Sequence, residues 1–213
     1  MQLTLHSAWR SSAAYRVRIG LNLKGLVYDT VPVNLVSSQH LEPTFAALNP
    51  QRLLPAIEVD GRTLTQSLAI LDWLDETVPQ PALLPADAFD RALVRSMAQI
   101  IASDIHPVNN LRILRALTGL GVDEPAREAW IGRWITDGFT ALEAMIAQHG
   151  RGYAFGDAPG LADCCLIPQV YNAERFKTDL APFPAIRAVA ARCAEHPAFV
   201  AAHPNQQPDA IHA

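Results

Sequence analysis

Cysteine is scarce in this chain of 213 residues: Cys164, Cys165 and Cys193 are the only three, and none stands in a Cys-x-x-Cys spacing. That usage argues against a zinc site or a disulfide framework and fits reduced thiols in a cytosolic protein, so no metal is expected. Long apolar runs are missing too. Half of the residues are hydrophobic, yet no stretch nears the roughly 18 that a membrane span requires. The opening Met1 to His6 lacks a basic segment ahead of a long apolar one. No signal peptide is therefore expected, and the expected location is cytoplasmic. Lysine is almost absent: 2 of the 17 basic residues, the other 15 being arginine. These arginines are scattered through a chain of net charge −4, which argues against nucleic acid as a partner. Internal repeats and low-complexity tracts are also lacking.

The length suffices for one large domain or two small ones with a real core. The first eighty residues alternate short strand-like and helix-like pieces. Leu3 and Leu5 alternate with polar neighbours as a short strand does. Ser12 to Lys24 reads as a helix, with Gly25 where a C-terminal glycine stop belongs. Val27 to Val33 is extended, and Pro32 suggests an edge position. A shorter helix is expected over Leu41 to Leu48. The order β-α-β-α-β-β-α implies a small mixed four-stranded sheet with helices on its faces. The proline-dense stretch from Pro79 to Pro85 breaks this pattern, and residues 81–87 are expected to be a linker in which Leu83 and Leu84 grip the domains. Beyond it the sequence is helical: Ala88 to Leu117 with a bend at His106-Pro107, then Pro125 to His149, Leu161 to Ala173 and Pro184 to Cys193. The expected division is an α/β domain over 1–80 and an all-α bundle over 88–213.

Leu54 to Ser67 carries the densest local signals. Leu53 to Val59 reads as a strand with Pro55 at its entrance, and Asp60-Gly61 is a strong hairpin turn between it and Arg62 to Thr65. Ser67 stands where a helix cap belongs, followed by Leu68, Leu71 and Leu74 at helical spacing. A proline at such a turn is where a cis bond is plausible. A cis Pro55 would turn the N–H and C=O of Leu54 outward to an extended peptide, close to a helix N-terminus that attracts carboxylate.

A second set of signals lies where the first strand hands over to the first helix, at Arg10-Ser11-Ser12. A hydroxyl there can donate to an anion that the helix dipole also favours. A thiol at such a place falls below the reference pKa of about 8.5. No cysteine of the chain is nearby, so the thiol would have to come from a ligand. The plainer alternative is that Ser11 and Ser12 only cap the helix.

Trp9-Arg10-Ser11-Ser12-Ala13-Ala14-Tyr15-Arg16-Val17-Arg18-Ile19 resembles the signature segment of zeta-class glutathione transferases, Ser-Ser-Cys-x-x-Arg-Val-Arg. Asn22-Leu23-Lys24-Gly25, Ala47-Leu48-Asn49-Pro50, Gln66-Ser67-Leu68-Ala69-Ile70, Leu84-Pro85, Asp104 through Arg112, Ala162-Asp163, Pro168-Gln169-Val170, Asn172 through Phe176 and Pro204 through Asp209 match the same family, so the resemblance spans nearly the whole chain. It implies the glutathione transferase fold, a thioredoxin-like N-terminal domain followed by a helical one. It also implies glutathione as cofactor, a small dicarboxylate-type substrate and a homodimer. The best-known members isomerise maleylacetoacetate or maleylpyruvate from cis to trans by reversible addition of the glutathione thiolate to the double bond.

Carried over, the resemblance gives Ser11 the activation of the thiol, with Ser12 nearby and Arg10 beside it. Leu54 before Pro55 would pair with the cysteinyl group, Gln66 and Ser67 would hold the γ-glutamyl carboxylate, and His40 would reach the glycyl end. His106, Asn110, Leu111 and Arg112 align with family positions near glutathione or substrate, and Asp104 would approach the ligand of the neighbouring subunit. Arg10, Arg112 and Arg175 are the candidates for the substrate carboxylates. Two departures stand out: Ala13 replaces the family cysteine, and Gly160 replaces a Ser/Thr cap. Maleylacetoacetate is the leading substrate. Maleylpyruvate, a general conjugating or dehalogenating transferase, and a non-catalytic module remain as alternatives. His149, His196, His203 and His212 are expected to be solvated, Trp73, Trp130 and Trp134 to fill cores, Asp163 to serve folding, and Cys164 to pack.

Overall fold

The computed structural model describes residues 1–211. The chain forms two compact units, one of Met1–Leu83 together with the stretch from Glu195 onward, the other of Leu84–Ala194. In the first unit β1 (Leu3–Ser7), α1 (Ser12–Leu23), β2 (Asp29–Pro32), α2 (Pro43–Leu48), β3 (Ala56–Val59), β4 (Arg62–Thr65) and α3 (Ser67–Thr77) follow one another. The sheet order is β2-β1-β3-β4, with β2 parallel to β1 and the other pairs antiparallel. Pro32 lies on an edge strand, where its missing N–H does no harm. The expected strand from Val27 is shorter at its start, and Val27 itself is exposed.

Local chemistry fixes these boundaries. Ser11 caps α1 by accepting from Ala14 N–H at 3.3 Å. At the other end Gly25 takes φ +64°, and the bonds Leu26 N–H to Leu21 O and Gly25 N–H to Asn22 O close the helix, the glycine-terminated stop that Asn22-Leu23-Lys24-Gly25 signals. Asp60 and Gly61 both have positive φ, +48° and +80°. That is the twist of a type I′ turn, which suits a two-residue hairpin. β3 begins later than expected because residues 49–53 form a turn around the buried Asn49. Its Nδ2 donates to Leu53 O at 2.7 Å and its Oδ1 accepts from Gln51 N–H at 3.0 Å. The Leu54-Pro55 bond is cis.

The interior of this unit is built from Leu3, Leu5, Ile57, the inner face of α1 and Ile70, Leu71 and Leu74 of α3. A Cβ on Gly20 would strike the side chain of Leu71, so that glycine sets how closely α1 and α3 pack. Lys24 forms a buried ion pair with Asp75 at 2.8 Å and also donates to Pro81 O, while Asp75 accepts from Leu83 N–H. These bonds fasten the end of the proline-rich stretch to the sheet unit, and they satisfy two charges that would be costly if left alone.

The second unit holds α4 (Ala88–Gln99), α5 (His106–Val108), α6 (Leu111–Gly119), α7 (Glu124–His149), α8 (Leu161–Arg175) and α9 (Pro184–Ala194). Between α4 and α5, Ile100–Ile105 is a π-helical segment in which His106 N–H reaches back to Ile101 O. Pro107 has no N–H to donate and its ring crowds the preceding turn, so the widened turn stands where a plain kink is expected. A Cβ on Gly138 of α7 would strike Ile105, which explains the close fit of that segment. Glu143 of α7 accepts from Ala185 and Ile186 N–H at 2.7 and 2.9 Å and so caps α9. The core of this unit is α8, buried along nearly its whole length, with Phe139 and Phe183 meeting edge to face at 5.7 Å.

The sequence expectation placed everything from 88 to 213 in one helical domain. That needs correction at the end: α10 (Pro197–Ala202) packs on α1, with Asn22 Nδ2 donating to Ala198 O at 3.0 Å. The tryptophans also differ from expectation. Trp73, Trp130 and Trp134 are half-buried rather than in cores, and Trp130 Nε1 donates to Val108 O. Among the described residues no helix is long and apolar enough to cross a membrane.

Candidate active site

The β1–α1 junction carries the first group of candidates. Ser11 is half-buried at the N-cap of a twelve-residue helix. Its Oγ accepts from Ala14 N–H, which leaves the hydroxyl proton to donate elsewhere. Ser12 is buried. Arg10 is exposed, its guanidinium 4.5 Å from the centre of the Trp9 ring.

The β4–α3 junction carries the second group. Ser67 opens α3 and is buried, and its Oγ accepts from Nη1 of Arg16 at 3.2 Å. Arg16 is itself only 2% exposed. A helix start, a hydroxyl and a buried guanidinium therefore converge on one spot, which suits a carboxylate. Gln66 precedes them at φ +67°, ψ 115°, a conformation that L residues rarely adopt, and its side chain donates to Gln51 Oε1 at 2.7 Å. Leu54 and Pro55 lie at the entrance to β3, Leu54 half-buried and Pro55 buried. His40 is half-buried in a single 3-10 turn, Gln39–Leu41.

The remaining candidates belong to the helical unit. Asp104 is exposed on the π-helical segment, and His106 is half-buried at the start of α5. Asn110 caps α6 by accepting from Arg112 N–H at 3.1 Å, a structural duty that sequence reasoning did not assign. Leu111 and Arg112 are exposed in the first turn of α6. Arg175 is exposed at the end of α8, stacked 4.5 Å from the centre of Phe176.

Three side chains of the sheet unit bear on these elements without having been singled out as site residues: Asn49, which shapes the turn before Leu54, Arg16 beneath Ser67, and Arg18 at 0% exposure. All three lie within the quoted motifs, but charge and amide character alone point to solvent. Asp163 serves folding as expected. Its Oδ1 accepts from Ala154 N–H at 2.8 Å and its Oδ2 from Gly160 N–H at 2.9 Å, while complete burial pushes its pKa up to about 6. Burial likewise raises the thiols of Cys164 and Cys193, which keeps them protonated and inert. His196 and His203 are not merely solvated: each accepts a backbone N–H, from Ala198 and Asn205 respectively. His149 stacks on Phe155, and His212 lies outside the described residues.

These residues fit glutathione by their chemistry. The tripeptide carries carboxylates, which match the Ser67–Arg16 helix start, and one thiol, which matches the donor hydroxyl at the start of α1. The thiol needs such help. Near pH 7 a thiol of reference pKa about 8.5 is only a few per cent ionised, and lowering it by about two units takes about 2.7 kcal/mol. A hydrogen bond to a charged group supplies about 1.5–3 kcal/mol and a helix N-terminus up to about 1 more, a scale that matches this demand.

Comparison with known proteins agrees. Residues 10–77 match the glutathione S-transferase N-terminal domain, and residues 124–200 match the glutathione S-transferase C-terminal domain. A maleylpyruvate isomerase of Ralstonia sp is 52% identical over 211 residues, covering 97% of this chain and 99% of the relative. A maleylacetoacetate isomerase of Pseudomonas aeruginosa is 48% identical over 210 residues, covering 97% and 98%. Among solved structures, a holo maleylpyruvate isomerase described as a bacterial zeta-class glutathione S-transferase has a TM-score of 0.96 at 51% identity, covering 98% of this chain and 100% of that one. A maleylacetoacetate isomerase of Anaeromyxobacter dehalogenans with bound glutathione has a TM-score of 0.90 at 44% identity, covering 99% and 98%. Sequence, fold and site together place this chain in the glutathione S-transferase family, in its zeta class.

Proposed function

We propose that this protein is a glutathione-dependent cis–trans isomerase that converts maleylacetoacetate to fumarylacetoacetate. The observation that carries the reading is the pairing, within one unit, of a donor hydroxyl at the start of α1 with a hydroxyl-and-guanidinium anion site at the start of α3. Relatives named as maleylacetoacetate isomerases, 44–48% identical across almost the full chain, support it.

Rotation about a C=C bond is prohibitive, and glutathione supplies a thiol nucleophile whose reversible addition relieves that constraint without net consumption. The chain's own residues do the rest. Ser11 donates its hydroxyl proton toward the sulfur and, with the α1 N-terminus, favours the thiolate. Ser12 supports the same end of the helix. Leu54 offers its main chain at the cis Pro55, Gln66 and Ser67 hold the γ-glutamyl carboxylate with Arg16 beneath, and His40 reaches the glycyl end. Arg10, Arg112 and Arg175 recognise the carboxylates of the substrate, a task for which a planar guanidinium is suited. Asp104, His106, Asn110 and Leu111 complete the ligand environment in a cytoplasmic homodimer, a state that light scattering on the purified protein checks. Ala13 leaves no protein thiol beside Ser11, so the activated sulfur is that of the tripeptide alone.

Maleylpyruvate is the second reading, supported by the Ralstonia relative at 52% identity and the holo structure at a TM-score of 0.96. An absorbance assay on both substrates, with and without glutathione, decides between them by kcat/KM. Isomerisation leaves the glutathione concentration unchanged, whereas a conjugating transferase or dehalogenase depletes it. Ser11→Ala is expected to lower kcat by about 10²-fold, the scale of losing one well-placed donor. An unchanged kcat in a folded Ser11→Ala protein overturns the assignment of that serine.

A further inference from the structure

Trp9, two positions before Ser11, is held by its main chain from two directions. Its N–H donates to Oδ2 of Asp209 at 3.0 Å, across 200 residues of sequence, and its C=O accepts from Nη2 of Arg18 at 3.0 Å. The Arg18 guanidinium is fully buried. Nη1 donates to Ser7 Oγ at 2.9 Å and to Ala8 O at 3.4 Å, and Nε donates to Ala202 O at 2.9 Å. Ala8 O also accepts from Ser11 N–H at 2.9 Å. One side chain thus grips both the chain entering the candidate serine and the end of α10. Beyond α10, His203 meets the ring of Tyr15 edge-on at 6.1 Å and accepts from Asn205 N–H, which shapes the 3-10 turn Pro204–Gln206 that leads to Asp209.

Surface loops move unless their backbone groups are tied down. A serine that lowers the pKa of a thiol must sit within a fraction of an ångström of its working position, because a charge-assisted hydrogen bond weakens steeply with geometry. The bonds to Trp9 meet that demand from outside the loop.

We propose that the C-terminal stretch from Ala202 to Asp209, joined to the β1–α1 loop by Arg18 and by the Asp209–Trp9 bond, is a positioning element that sets Ser11 for thiol activation. The proposal rests on the reading of Ser11 as the thiol-activating residue. Asp209 and Arg18 touch neither sulfur nor substrate; they act through the peptide of Trp9.

The test compares the full-length parent with Asp209→Ala, which removes the acceptor, and Asp209→Asn, which keeps an oxygen able to accept from Trp9. Arg18→Lys serves as a second probe of the same clamp. Each protein is checked for folding by circular dichroism. The ionisation of added glutathione is then followed by thiolate absorbance against pH, and affinity for S-methylglutathione, which has no thiol proton, is measured by calorimetry. In Asp209→Ala the thiol titration is expected to rise by about one pH unit, roughly tenfold less thiolate at neutral pH. S-methylglutathione should bind within twofold of the parent, and Asp209→Asn should return the titration to the parent value. A folded Asp209→Ala protein that titrates like the parent overturns the proposal. So does an Asp209→Ala protein in which S-methylglutathione binding falls as far as thiolate formation, since that is general loosening and not positioning. If glutathione bound to the parent itself titrates like the free tripeptide, the thiol-activation reading fails first and this proposal with it.

Discussion

Gln66 stands at the start of α3 with φ +67°, although it carries a side chain. Such a backbone costs about 1–3 kcal/mol and persists only where the surroundings enforce it. Gln66→Gly removes the strain and the amide together. The melting temperature of that variant is expected to be no lower than the parent's, while glutathione affinity falls at least tenfold by calorimetry. A stable variant with unchanged affinity would show that the side chain contributes nothing to binding. Asp163 is the opposite case, a side chain whose work is architectural. Replacing it with asparagine sets an N–H₂ group against one of two backbone donors and is expected to cost about 2–3 kcal/mol in urea unfolding. Its pKa is raised from 3.8 to about 6 by burial. The folded state therefore holds the proton more tightly than the unfolded chain, and that contribution to stability is full below pH 4 and lost as pH rises through 6. The stability gap between parent and Asp163→Asn should narrow over that interval. Among single residues, the hydroxyls at 11 and 67 were legible because each immediately precedes or opens a predicted helix. Arg16 and Arg18 were not, since a buried guanidinium breaks the rule that charged side chains face water, and only the folded chain reveals what surrounds it.

The Asp60-Gly61 turn between β3 and β4 is an element that local sequence determines almost alone. Both residues adopt positive φ, for which glycine is the natural choice and an L side chain costs about 1–2 kcal/mol. Gly61→Ala is expected to destabilise the protein by about 1 kcal/mol in urea titration, with the Ile57–Leu64 pairing retained in amide exchange. An effect near zero would mean that the turn adopts another type. The mixed character of the sheet and the edge place of its second strand were likewise readable, from element order and from Pro32, whereas the central place of β1 emerges only in the folded chain. The π-helical segment Ile100–Ile105 was not. Its apolar spacing is that of an ordinary helix, and only Pro107 signalled that something must yield; the fit of Ile105 against Gly138 of α7 is a long-range contact that local sequence does not reveal. Asn110 was ambiguous for a related reason. An asparagine before an apolar run serves as cap, as ligand contact or as both, and the cap it supplies here leaves the ligand role proposed for it in place.

The molecule as a whole is discontinuous in sequence. Its sheet unit is begun by the first 83 residues and completed by the stretch from Glu195, with the entire helical unit between them. Composition gave no hint of this return, because α10 is short and its apolar residues, Ala198, Phe199 and Ala202, resemble those of the helices before it. What pulls it back is a long-range set of bonds to Asn22 and Arg18. This arrangement dictates an order of events during synthesis. While a nascent chain has emerged from the ribosome only as far as Ala194, Asn22 and Arg18 of α1 have no α10 to meet and the Arg18 guanidinium has no carbonyl from Ala202. Arrested chains in which a C-terminal extension holds Ala194 just outside the exit tunnel should therefore resist protease in the helical unit and be cut in the sheet unit, with protection of the sheet unit appearing only once α10 and the stretch to Asp209 have also emerged. The half that is made first is the half that is finished last.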